Sequence, residues 1–139
     1  SVVGTKLILV LGHSGCGAIM SACNGIEKGH ITELLAKIKP AIHAETSTEE
    51  ERDGNNLSFV KHVTKLNVAN TLSEIYRRSP ILRNMIDANE IAMAGTVYDV
   101  HSGIVHYNNY AKELRQLDPE GNEQLAATLD KLLKDAKIT

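Results

Sequence analysis

Residues 6–22 read KLILVLGHSGCGAIMSA. The continuous apolar run at residues 6–11, closed by Gly12, predicts a short strand buried on both faces, as the strands of parallel sheets are. Ala18, Ile19, Met20, Ala22 and Cys23 then predict a short apolar helix after Gly17, which Asn24 and Gly25 stop. The unit is strand, glycine turn, helix. It sets His13 and Cys16 at the C-terminal end of a strand, where open α/β sheets hold their ligands.

Outward from this unit, Ile31, Leu34, Leu35, Ile38 and Ile42 recur at helical spacing, with Pro40 breaking or kinking the segment 31–44. ETSTEEERDGN is polar, mostly acidic and without period, and reads as a solvated loop or helix entry rather than a metal site. Asn56 suits the cap of a long helix running to Arg78, along which Leu57, Val60, Val63, Val68, Leu72 and Ile75 repeat. Ser79 and Pro80 suit the cap and first position of a shorter helix. EIAMAGTVYDV and IVHY read as two strands of a hairpin turning at HSG, with Gly103 in the turn. Leu125, Leu129, Leu132 and Leu133 predict an amphipathic terminal helix over residues 122–136. The fold class is therefore α/β, a mostly parallel sheet flanked by helices. Only three strands are legible, although the first wants a partner on each side, and the sequence opens on Ser1 rather than Met. We expect an N-terminal strand-bearing segment to be missing.

The chain has 139 residues, the size of one domain, so a single (incomplete) domain over 1–139 is expected. It is 42% hydrophobic and 23% charged with a net charge of -2, which gives nucleic acid or an anionic membrane no electrostatic footing. The longest apolar run, residues 7–11, is far short of the roughly 20 residues that span a bilayer. Two cysteines seven residues apart, with no secretory pattern, suggest reduced thiols or a metal ligand in a cytoplasmic chain.

His13 and Cys16 are both zinc-ligand types, and a spacing of three lets a tight turn present them to one ion. Zinc needs at least three protein ligands, so the pair alone leaves open a buried thiol beside a hydrogen-bonded histidine. A P-loop would carry Lys followed by Ser or Thr after Gly17, and the chain has Ala18 and Ile19. A dinucleotide fingerprint is excluded because Gly12, Gly15 and Gly17 run in the reverse spacing. A nucleophile elbow is nearly matched by Gly12 and Ser14, but Cys16 takes its last place; Asp99 with His101 or His106 would complete the triad of a serine acyl hydrolase.

LVLGHSGCGAI resembles the zinc-binding turn of β-class carbonic anhydrases. HITELLAKIKPAI resembles the helix that follows in that family, KLNVANTLSEIYRRSPIL its Asn-Val helix and Ser-Pro restart, and IAMAGTVYDVHSGIVHY its late strand and hairpin. The likeness runs in order over residues 6–107. It implies the family fold, a homodimer or higher homo-oligomer, and zinc-dependent interconversion of CO2 and bicarbonate. His13 and Cys16 match two of the family's three zinc ligands. The third ligand belongs to a Cys-x-Asp-x-Arg motif, whose Asp and Arg form the catalytic dyad, and no such motif occurs in this sequence. The site expected here is thus a partial zinc site without the catalytic dyad, and the chain alone is expected to be inactive or nearly so. A carbonic-anhydrase-like binding or oligomerisation module is the non-catalytic alternative. Cys23 is expected in the core; His30, His43, His62, His101 and His106 are expected on the surface or hydrogen-bonded; Asp99 is expected to brace the hairpin turn.

Overall fold

The structure, a computed structural model, describes residues 4–135. The opening strand β1 (Leu7–His13) passes into α1 (Gly17–Cys23), and α2 (Ile31–Ala36) and α3 (Lys39–Ala44) follow. Pro40 sits in the first turn of α3, and the break falls just before it, at Lys37 and Ile38, where proline's missing N–H is tolerated. The long helix α4 (Leu57–Arg78) starts where Asn56 accepts the Phe59 N–H, and α5 (Pro80–Asp87) where Ser79 accepts the Leu82 N–H. Strands β2 (Ala92–Tyr98) and β3 (Val105–Asn108) form the expected hairpin, with Gly103 at φ +72 in its turn. Helices α6 (Ala111–Leu117) and α7 (Glu123–Asp135) close the order; the expected end of α7 at Ala136 lies outside the described residues.

The sheet order is β1-β2-β3. The helical crossover makes β1 and β2 parallel, with His13 beside Tyr98, and the hairpin makes β3 antiparallel, with His106 beside Val97. Helix α4 crosses one sheet face at contact distance. A Cβ on Gly12 would lie 2.7 Å from Val68, and one on Gly95 would lie 2.9 Å from the same side chain and 2.6 Å from the Tyr110 ring. Hydrogen at both places is what lets the helix approach. Because α4 is buried on two sides, it serves two apolar clusters. Val68 and Leu72 pack with Met93, Leu114 and Leu125 of the sheet and last helices. Phe59 and Val63 pack with Ile19, Leu35 and Ile38 of the first three helices.

Two expectations are corrected. Strand β1 is not buried on both faces: Ile8 and Val10 pack toward α4, while Leu7, Leu9 and Leu11 remain 45 to 56% exposed, because the helices cover a single face among the described residues. The acidic loop is only partly solvated. Glu45 is buried at its head and ties it to α3 and α4.

Candidate metal centre

The turn between β1 and α1 is pinned to its neighbour strand. The Ser14 N–H donates to the Tyr98 carbonyl at 2.9 Å, and the Val100 N–H donates to Ser14 Oγ at 3.0 Å. Gly15 occupies φ +64, the left-handed region that a side chain would resist. These constraints present His13 and Cys16 on one rigid turn.

His13 is exposed, and its Nδ1 lies 2.9 Å from the Ser14 carbonyl oxygen. A carbonyl only accepts, so Nδ1 carries a proton, and in the neutral imidazole this leaves the lone pair on Nε2, the arrangement of a metal-ligating imidazole with an oriented ring. Cys16 precedes α1 in an extended conformation, and its thiol is not spent on capping the helix. Both side chains line a cavity of about 620 Å3. Its far wall is a polar stripe of α4, Asn67, Asn70, Thr71, Glu74 and Arg78, with Lys37 beside it. The sequence reading followed the apolar stripe of this helix and passed over the polar one, although its spacing of three and four is the matching signal.

An imidazole with a free Nε2 and an uncommitted thiol fit zinc in kind but not in number. Among the described residues no group of three or more His, Cys, Asp or Glu side chains stands close enough to hold a metal ion. The described residues thus offer two candidate donors on one turn.

The other residues singled out lie elsewhere. Cys23 is half-buried against the Phe59 cluster, and burial pushes its thiol up to about 11, leaving it protonated and inert. His30 and His43 are exposed on α2's leading edge and α3's last turn. His62 reaches Ser47 Oγ at 3.3 Å and Glu45 Oε1 at 3.5 Å. Asp99 braces the hairpin: its carboxylate accepts the His101 N–H at 2.8 Å and the Ser102 N–H at 3.4 Å, and these amides hold it below the usual carboxylate range. Ser14, Asp99, His101 and His106 do share a second cavity. Yet Ser14 Oγ is bonded to the Val100 N–H rather than to an imidazole, and Asp99 is taken up by the turn, so no hydrolase triad is assembled.

Comparison with known proteins agrees with this fold. A family model described as carbonic anhydrase matches residues 1–105. Carbonic anhydrase 2 of Mycobacterium tuberculosis is 26% identical over 123 residues, and the carbonic anhydrase of Mycolicibacterium smegmatis is 22% identical over 122. These matches cover 82% and 84% of the chain and 56% of each relative, so the chain spans about half the length of the curated relatives it matches. Among solved structures, the β-carbonic anhydrase CafA of Aspergillus fumigatus superposes with a TM-score of 0.59 at 20% identity, over 94% of this chain and 55% of that one. CafD of the same fungus gives 0.52 at 16% identity, over 74% and 57%. With a carbonic anhydrase family model matching residues 1–105 of its 139 and a fold shared with β-carbonic anhydrases, the chain belongs to the β-class carbonic anhydrases.

Proposed function

We propose that this chain carries the zinc turn of a carbonic anhydrase that interconverts CO2 and bicarbonate, working as a homo-oligomer, and that it is inactive or nearly so alone. The observation that carries this reading is the pinned turn, which sets an Nε2 lone pair and a free thiol on the rim of one cavity. His13 and Cys16 would be two of the zinc ligands, and the third donor and the acid–base groups would come from outside the described residues. Zinc, when bound, supplies the Lewis acidity that makes water a nucleophile near neutral pH.

The chain's own residues do the rest of the work in reach of this turn. The Ser14 carbonyl fixes the imidazole tautomer, and the polar stripe of α4 hydrogen-bonds water and bicarbonate in the cavity. Lys37 on its wall draws the anionic species of the reaction, Arg78 there being paired with Glu74. Both cysteines are free thiols, which suits a reducing compartment such as the cytoplasm. Among the described residues no helix is long and apolar enough to cross a membrane.

The test is zinc per chain by elemental analysis, with CO2 hydration measured on the same samples. The 139-residue chain is expected to hold well under one zinc and to be inactive. Adding a peptide with the Cys-x-Asp-x-Arg motif is expected to raise both, and His13→Ala to abolish the gain. Hydration at ordinary enzyme rates by the chain alone would overturn the claim of inactivity; a gain indifferent to His13→Ala would overturn its role as ligand. The non-catalytic module is favoured by one observation, the lack of a third donor among the described residues. Tight multimers that take up no zinc even with the peptide would select it.

A further inference from the structure

The turn that presents His13 and Cys16 has a second side. Ser14 and Gly15 form a wall of another cavity, of about 600 Å3, bounded by the first turns of α4 and by the β2–β3 hairpin. Lys61 and Lys65 line it from one face of α4, being one helical turn apart, and His101 and His106 line it from the hairpin. His106 stands opposite Val97, which lines the same cavity, so strand alternation turns both toward α4. The carboxylate in the lining, Asp99, is already held by two backbone amides of its own turn. Among the described residues neither lysine has an ion-pair partner, whereas Arg52, Arg77, Arg78 and Arg115 all do.

The remaining wall is apolar. Met20 and Val60 form it together with Leu57, which is 75% exposed at the start of α4. A bare inorganic anion uses only the lysines. A ligand with a doubly charged head and an apolar body uses both walls.

We propose that this cavity binds an organic phosphate monoester, its head between Lys61, Lys65 and His106 and its apolar body against Met20, Leu57 and Val60. No metal is involved, so the proposal stands or falls independently of zinc at His13 and Cys16. The experiment is amide NMR on the full chain, titrated with phenyl phosphate and separately with inorganic phosphate, a chelator present throughout. Phenyl phosphate is expected to give saturable shifts at Ser14, Lys61, Lys65 and His106. Lys61→Ala with Lys65→Ala is expected to weaken it about tenfold, and inorganic phosphate to bind at least about threefold more weakly than the ester. Circular dichroism checks the fold of the double variant; Lys61→Gln with Lys65→Gln keeps the aliphatic stems if the alanines unfold it. Shifts that do not saturate, that map elsewhere, or that persist undiminished in the charge-free variant would overturn the site. Equal binding of inorganic phosphate would overturn the ester.

Discussion

Glu45 brings a carboxylate into the interior, with 2% of its side chain exposed, and every lone pair must find a partner there. It accepts the Ser47 N–H at 3.0 Å, the Thr48 N–H at 3.3 Å, the Ser47 hydroxyl, and Arg52 Nη1 at 2.8 Å. Arg52 also donates to the Ile42 and Thr48 carbonyls and lies 4.7 Å over the Phe59 ring. Burial alone would raise the Glu45 carboxyl, but the hydrogen bonds from Ser47 and Thr48 outweigh it and hold it below its ordinary 4.5. A depressed folded value means that the stabilisation is complete above the unfolded value and is lost as pH falls through the folded one. Glu45→Gln is therefore expected to cost about 2–4 kcal/mol at pH 7 by urea unfolding, with the gap to wild type closing below about pH 4. A gap unchanged from pH 7 to pH 3 would place the stabilisation elsewhere. None of this was legible in ETSTEEERDGN. Glu49, Glu50 and Glu51 are exposed as the composition suggests, but the partners that bury Glu45 are backbone amides and an arginine brought together by the loop itself.

At the scale of elements, what the sequence spelled out was local chemistry. The caps of α4 and α5 fell at Asn56 and Ser79 because a side-chain oxygen serving the N–H three residues on is a short-range event. Asn56→Ala is expected to cost about 1 kcal/mol of unfolding free energy and Asn56→Asp to restore most of it; equal losses in both would mean that the cap is not the cause. Helix α6 was not legible. It has seven residues, the Asn109 side chain accepts the Ala111 N–H at its start, and burial of Ala111 and Leu114 holds it, which depends on α4 and α7 being in place. The two glycines beneath α4 were likewise read without their packing role. Gly95→Ala would set its new methyl against Tyr110 and Val68, at 2.6 and 2.9 Å, and overpacking of this kind costs about 1–3 kcal/mol. Thermal unfolding should show the loss, and Tyr110→Phe in the same background should not relieve it, because the contact is with ring carbons.

At the scale of the molecule, the helices among the described residues cover one face of the sheet, and the other is buried at Thr96 of β2 but open along β1. The turn that carries His13 and Cys16 was readable because strand, glycine turn and helix follow one another locally, whereas how far β1 is covered depends on contacts distant in sequence. Leu7, Leu9 and Leu11 form a row of half-exposed side chains on a strand whose outer edge is unpaired among those residues. An open edge beside exposed leucines is a surface that associates, and Leu11 also lines the cavity shared by His13 and Cys16. The proposed homo-oligomer therefore has a place to form at the rim of that cavity. Sedimentation velocity should show the chain associating at tens of micromolar, and Leu9→Lys, which puts a charge in the middle of the row, should shift it toward monomer by about tenfold or more in dissociation constant. Because Leu9 is 45% exposed, the substitution gives up little buried surface, and the melting temperature should stay within about 4 °C of wild type. A wild-type chain that stays monomeric at those concentrations, or a Leu9→Lys chain that associates as strongly, would rule out self-association through this face.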